Sequence, residues 1–326
     1  MQLIIDTNGA VLRRKNESFL IYTKAQSRMI SPHRVDSIAL SANCMISTAA
    51  LRLAILHQIP VYLHDGYGNP EGAVLPISPP SIATLRRKQA LFYYLPQATD
   101  FVVDIFEAKL QAQLLVLHHI IQDKNDLAKK ETLLYGFAEQ WQQYRPQRIE
   151  EARASLMGIE GNIARHYWQW LSEALPPSFR FERRSRQPAE DIFNCLLNYG
   201  YGMLYTIVEA GIVAAGLDPQ MGLLHTDEYK QPTLAFDLIE PFRPYVDSLV
   251  MDLCLEQKAR ITWFDVSKEK SVLLATVGKK EFIPLFYDML HTPIIINAEH
   301  TSLKQHCYKL AIRLADLLRH SKIQIF

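Results

Sequence analysis

A chain of 326 residues, 48% hydrophobic and 21% charged, has an ordinary globular composition and room for two domains. Its formal net charge of +1 excludes a global polybasic attraction to nucleic acid. The ten Lys/Arg against five Asp/Glu in residues 1–95 are too mild an asymmetry to support a DNA-binding reading by themselves.

In chain order, Met1-Gln2-Leu3-Ile4-Ile5-Asp6 has neither a basic n-region nor a long apolar core, so no signal peptide is expected. Residues 1–75 read as strands and turns. Apolar runs at 3–5, 11–12, 19–22, 35–40 and 59–63 are separated by turn chemistry such as Asp6-Thr7-Asn8-Gly9, and helical spacing appears over 46–56. The glycine-rich turn His64-Asp65-Gly66-Tyr67-Gly68-Asn69-Pro70 lacks the Gly-Lys-Ser/Thr ending of a phosphate loop. Leu75-Pro76-Ile77-Ser78-Pro79-Pro80-Ser81 is the expected linker, because adjacent prolines forbid helix. From residue 83 the pattern turns helical almost to the end, with helices predicted over 85–95, 101–124, 128–144, 151–171, 194–215, 233–256 and 301–321. The longest apolar run, 196–217, is interrupted by Asn198, Glu209 and glycines, which reads as a buried core helix rather than a membrane span. Four widely spaced cysteines, Cys44, Cys195, Cys254 and Cys307, form no C-x-x-C pair. They read as buried free thiols of a reducing, cytoplasmic compartment.

Three segments carry candidate chemistry. In the helix predicted over 151–171, Leu156, Ile159, Ile163, Tyr167 and Trp170 recur on one face, with Glu160 beside them. A carboxylate at the edge of an apolar face needs a partner. Gly158 and Gly161 flank it at a cost of roughly 1 kcal/mol each in a helix, which implies that something approaches the backbone there. His225 follows the core helix in Gly222-Leu223-Leu224-His225. Asp237 and Glu240 lie three apart on a third helix. Pro241 removes the partner of the Asp237 carbonyl, so a kink is expected where the acids sit. Brought together, Glu160, His225 and an acid of this pair make a two-carboxylate, one-imidazole set suited to Mg²⁺ or Mn²⁺. An iron oxygenase would want two histidines and one carboxylate instead.

The motifs Gly158-Ile159-Glu160-Gly161, Asn194-x-x-Leu197-x-Tyr199-Gly200-Tyr201, Ala215-Gly216-Leu217-Asp218-Pro219, Gly222-Leu223-Leu224-His225 and Asp237-Leu238-Ile239-Glu240-Pro241-Phe242-Arg243-Pro244 resemble, in order and spacing, the CRISPR-associated integrase-nuclease family that acquires spacers. The resemblance spans essentially the whole chain. It implies an α+β fold: an N-terminal β-sandwich-like dimerisation domain over 1–78, then a larger all-α catalytic domain over 83–326. It also implies a homodimer that joins a small ferredoxin-like partner and binds double-stranded DNA, both spacer precursor and CRISPR repeat. Carried over by position, Glu160, His225 and Glu240 are the metal ligands and Asp237 supports them. Arg243 is a candidate phosphate clamp, and Tyr205 matches an active-site tyrosine of some members. Arg184 and Arg186, in a basic loop, are candidate contacts to the DNA backbone. The implied chemistry is attack of a DNA 3′-hydroxyl, or water, on a phosphodiester. A general structure-selective DNase of repair and a non-catalytic DNA scaffold remain alternatives.

Overall fold

The computed structural model describes residues 2–40, 43–64, 70–74, 83–186, 188–225, 231–266, 271–321 and 323. The chain divides into two compact units, Met1–Ser81 and Ile82–Phe326. The glycine-rich turn at 65–69 and the linker at 75–81 lie outside the described residues.

The first unit holds strands β1 (Gln2–Ile5), β2 (Val11–Lys15), β3 (Ser18–Tyr22), β4 (Ser27–Ile30), β5 (Ser37–Leu40), β6 (Met45–Ile46), β7 (Val61–His64) and β8 (Pro70–Val74), with helix α1 (Thr48–Leu56) between β6 and β7. They form two four-stranded sheets, ordered β1-β5-β7-β8 and β4-β3-β2-β6. In the first, β1, β5 and β7 run parallel and β8 closes antiparallel on β7. Parallel neighbours need a crossover, and α1 lies on the path from β5 to β7, its first turn capped by Ser47 Oγ accepting from Ala50 N–H. Leu12, Phe19, Ile38, Leu53 and Val61 put residues of both sheets and α1 into one core.

The second unit is built on helices α2 (Ala83–Phe92), α3 (Pro96–Ile120), α4 (Lys124–Ala138), α5 (Ile149–Ala174), α6 (Ile192–Ala214), α7 (Thr233–Ile239), α8 (Arg243–Leu255), α9 (Thr276–His291) and α10 (Leu303–His320). Helix α6 is buried almost throughout, as an apolar run interrupted by single polar residues requires. Gly200 lets α8 come close, since a Cβ there would lie 2.6 Å from Val246 Cγ1. Helix α6 ends at Gly216, whose φ of +82° is the left-handed cap glycine adopts freely.

The α+β class, strands first and helices after, is the observed one. The second unit is nevertheless not wholly helical. It carries two antiparallel ribbons, β9 (Phe264–Val266) with β10 (Val272–Leu274), and β11 (Pro293–Ile296) with β12 (Glu299–Ser302). The span read as one helix over 128–144 begins at Lys124, capped by Asp123, and tightens into a 3-10 turn at Glu139–Tyr144. The span read over 233–256 is α7, a 3-10 turn at Glu240–Phe242 and α8. Pro241 and Pro244 account for the interruption, since neither can donate to a preceding turn. Among the described residues no helix is long and apolar enough to cross a membrane, and all four cysteines are unpaired.

Candidate active site

Helix α5 buries Leu156, Ile159, Ile163 and Tyr167, which sets Glu160 at the edge of the buried stripe facing α3. There it meets Lys109, whose ammonium lies 2.5 Å from Glu160 Oε1 and 2.6 Å from Glu240 Oε2. The side chains of Lys109, Glu160 and Glu240 are only 12%, 25% and 8% exposed, so this is a semi-buried charge cluster and not a surface pair. Glu240 Oε2 has no hydrogen-bond partner beyond this ion contact.

The break at Pro241 delivers Glu240 to that position. Glu240 N–H closes a tight turn by donating to the Asp237 carbonyl, so the carbonyl deprived by proline is satisfied one residue earlier. Asp237 and Glu240 then serve different neighbours. Asp237 is 1% exposed and accepts from the backbone N–H of Leu223 at 2.6 Å, Leu224 at 3.1 Å and His225 at 3.2 Å. Its Oδ1 also lies 2.7 Å from His225 Nδ1. A carboxylate on Nδ1 fixes the ring and leaves Nε2 as the nitrogen for a ligand.

The loop carrying His225 is stapled from both sides. Gln89 of α2 donates to the Asp218 carbonyl at 2.8 Å and accepts from Asp218 N–H at 2.9 Å. Thr233 Oγ1 accepts from Gly222 N–H at 3.0 Å and donates to the Gln220 carbonyl at 2.8 Å. A Cβ on Gly222 would lie 2.7 Å from Thr233, so the close approach requires glycine.

Arg243 NH1 lies 3.3 Å from Glu240 Oε1, and its guanidinium sits 5.0 Å from the Tyr201 ring centre. Burial opposes ionisation of Glu240, but Arg243, Lys109 and His225 together hold its pKa down at about 2. Burial likewise works against the Lys109 ammonium, yet Glu240 and Glu160 raise its pKa. Both groups are therefore charged at neutral pH.

Three expectations change. Arg184, placed by the sequence on a solvent-facing basic loop, turns inward. It donates to Asn194 Oδ1 at 2.7 Å and Asn198 Oδ1 at 2.6 Å, and lies over the rings of Tyr201 and Trp168. This guanidinium is occupied in holding the loop, while Arg186 stays exposed. Tyr205 is buried, and its hydroxyl donates to the Pro232 carbonyl at 3.2 Å. It touches the site through Phe236, whose ring packs against both Tyr205 and His225. At Gly158 and Gly161 a Cβ would find nothing within 4 Å among the described residues, the helix's own backbone aside.

Glu160 and Glu240 thus meet across Lys109, with His225 close enough to influence Glu240. Among the described residues no three His, Cys, Asp or Glu side chains converge directly into a metal-holding group. Sequence reasoning missed Lys109. The signal was its position four residues after Ile105 and three after Phe106, inside the buried stripe of α3. Also missed was Asp247, which accepts from the hydroxyls of Tyr167, at 2.9 Å, and Tyr201.

What these features define is a two-unit α+β protein with a carboxylate–imidazole centre set into its helical unit. The sequence matches the family described as CRISPR associated protein Cas1 over residues 3–288, and the chain belongs to that family. It is 30% identical over 302 residues to a CRISPR-associated endonuclease Cas1 of Methanospirillum hungatei, covering 89% of this chain and 88% of the relative. A Thermus thermophilus protein of the same description is 31% identical over 293 residues, covering 89% and 87%. Among solved structures, a CAS1 protein from Thermotoga maritima superposes with a TM-score of 0.82 at 22% identity, over 100% of this chain and 99% of that one. A casposase bound to integration product gives 0.80 at 22% identity, over 99% and 92%.

Proposed function

We propose that this protein is a metal-dependent DNA endonuclease and integrase of CRISPR adaptation, which joins the 3′-hydroxyl ends of spacer DNA to the CRISPR repeat by transesterification and can also hydrolyse DNA. The observation that carries the reading is the meeting of Glu160 and Glu240 on one cation beside a histidine whose Nδ1 is already engaged. The curated relatives above are named endonucleases, which agrees with it.

The residues fit a divalent cation. Glu240 Oε2 is a buried oxygen whose one close partner among the described residues is the Lys109 ammonium, and two carboxylates with one imidazole nitrogen suit Mg²⁺ or Mn²⁺. Glu160, Glu240 and His225 would hold it, and it would supply polarisation of a phosphoryl oxygen. The other groups act on geometry. Asp237 fixes the tautomer and angle of His225. Arg243, braced by the Tyr201 face and Glu240, presents a guanidinium for a phosphate oxygen. Tyr205 acts as a positioning residue, backing Phe236 behind the imidazole. Arg186, exposed on the loop as Arg183 is, contacts the DNA backbone.

The partners proposed are double-stranded DNA, a second copy of the chain and a small ferredoxin-like protein. A solved structure of this fold, with TM-score 0.84 and 21% identity, is described as a Cas6-RT-Cas1–Cas2 complex, and the match covers 98% of this chain and 35% of the matched chain. Met29 on β4 and Met45 on β6 are exposed at the two opposite edges of one sheet, and proteins tend to cover open edges. These exposed methionines support a dimer contact through the first unit.

The test is cleavage and strand transfer into a repeat-bearing plasmid, with Mn²⁺ and the small partner present. Glu160→Gln, His225→Ala and Glu240→Gln are each expected to remove both activities. Glutamine is the better probe at 240, because Glu240 compensates two buried cations and alanine would strand them. Retained activity in Glu240→Gln would refute the site. Cleavage without any preference for repeat or partner would point to a general DNase.

A further inference from the structure

Lys109 is a semi-buried lysine in the apolar stripe of α3, and its one ammonium contacts both carboxylates. Those carboxylates come from different helical segments, α5 and the turn after α7. The ammonium therefore does what a bound cation between them would do: it neutralises both and fixes their separation. We propose that Lys109 and a divalent cation compete for the same two carboxylates, so that Lys109 sets the metal affinity of this site. The proposal rests on the metal-site reading above and adds to it an internal competitor.

The choice of side chain supports this role. Lysine carries a compact charge on a flexible four-carbon stem, so its head can leave the carboxylates while the stem keeps covering apolar surface. An arginine, with a planar fork, would bind the carboxylates more rigidly. The competitor is tethered, so it is present at high local concentration and must be displaced before a second cation takes both oxygens. A purely structural ion pair would behave differently, because its loss would loosen the carboxylates and weaken any metal site they form.

The experiment is Mn²⁺ binding to the full chain without DNA, read by the electron paramagnetic resonance of free Mn²⁺, with melting temperature measured with and without Mn²⁺. The proteins compared are wild type, Lys109→Met, Lys109→Gln and Lys109→Arg, each checked for native circular dichroism. Lys109→Gln keeps a hydrogen-bond donor for one carboxylate, so it stays informative where Lys109→Met fails to fold. The neutral variants are expected to bind Mn²⁺ about tenfold more tightly than wild type. They should melt lower without Mn²⁺ and gain more from it, while Lys109→Arg binds no more tightly than wild type. Equal or weaker Mn²⁺ binding by folded neutral variants would overturn the proposal, as would tighter binding by Lys109→Arg. If Glu160→Gln and Glu240→Gln bind Mn²⁺ just as wild type does, the metal-site reading itself fails, a result distinct from both.

Discussion

Glu160 and Tyr167 stand about two turns apart on α5, and Glu240 and Asp247 are spaced in the same way through the 3-10 turn and α8. The outer pair and the inner pair nevertheless belong to two kinds of charge cluster. Around Asp247 the polar groups are matched: two tyrosine hydroxyls donate to the carboxylate, and the faces of Tyr201 and Trp168 cover the guanidinium of Arg184, whose nitrogens end on Asn194 and Asn198. Around Glu240 the carboxylates share a single mobile ammonium, that of Lys109, and among the described residues His225 is engaged through Nδ1. Satisfied groups rigidify a core, and partly satisfied ones are available to a ligand. Arg243 spans both clusters, pairing with Glu240 and covering Tyr201. In this way the inner cluster fixes the direction from which the outer one is served.

The strongest way to break this comparison is to empty the inner cluster. Asp247→Ala leaves two buried hydroxyls without their acceptor and is expected to cost about 2–4 kcal/mol, read by urea unfolding. Asp247→Asn keeps an acceptor oxygen and removes a charge whose pKa burial has raised to about 6. Its cost should stay within about 1 kcal/mol, with DNA cleavage retained. A large activity loss in Asp247→Asn at unchanged stability would move Asp247 from scaffold into chemistry.

Another buried carboxylate sharpens the contrast through pH. Glu209 on α6 has its pKa raised to about 7 by burial alone. Its folded-state pKa lies above its unfolded value, so its contribution to stability is full below pH 4.5 and is lost as pH rises through about 7. Wild type is expected to lose up to roughly 3 kcal/mol from this group across that window. Glu209→Gln should remove that dependence, being more stable than wild type at pH 8 and close to it at pH 4. Parallel pH profiles for the two proteins would show that Glu209 is paired in solution.

What was legible beforehand follows the same division. Glu160, His225 and Glu240 stood out because a carboxylate beside an apolar stripe and an acid before a proline are local signals. Lys109 was silent, because one lysine within an apolar stripe reads as a snorkelling stem until the opposing helix is known. Arg183, Arg184 and Arg186 look alike in sequence, and only packing against Trp168 and Tyr201 turns the middle one inward. The ribbon β11–β12 had a local signal in Pro293-Ile294-Ile295-Ile296, but it is only four residues per strand. It was lost in the stretch between the helices read over 233–256 and 301–321, where α9 also went unread. In the first unit β1, β2, β3, β5 and β7 were legible, because short apolar runs separated by turn residues carry their own boundaries, whereas β4, β6 and β8 have too few apolar residues to stand out.

Asp237 tests the boundary between positioning and binding. Asp237→Asn keeps an oxygen for the backbone N–H groups of 223–225 but weakens the charge-assisted contact to His225 Nδ1. Activity is expected to fall about 10–100-fold and to recover in part with excess Mn²⁺. No recovery at saturating Mn²⁺ would make Asp237 more than a positioning residue.

The smallest effect concerns Gly158 and Gly161, which lie exposed on α5 on either side of Glu160 with open space where a side chain would be. Packing within the chain does not explain them, and each costs roughly 1 kcal/mol relative to alanine in a helix interior. Gly158→Ala with Gly161→Ala should therefore raise stability by about 1–2 kcal/mol, seen as a higher urea midpoint with an unchanged slope. If the bare backbone is what DNA approaches beside Glu160, the stabilised protein will bind duplex DNA more weakly at fixed salt, while Mn²⁺ affinity without DNA stays the same. Unchanged DNA affinity in a stabilised double variant would remove this face of α5 from the interface. DNA would then have to reach Glu160 from the side of Arg243 and His225.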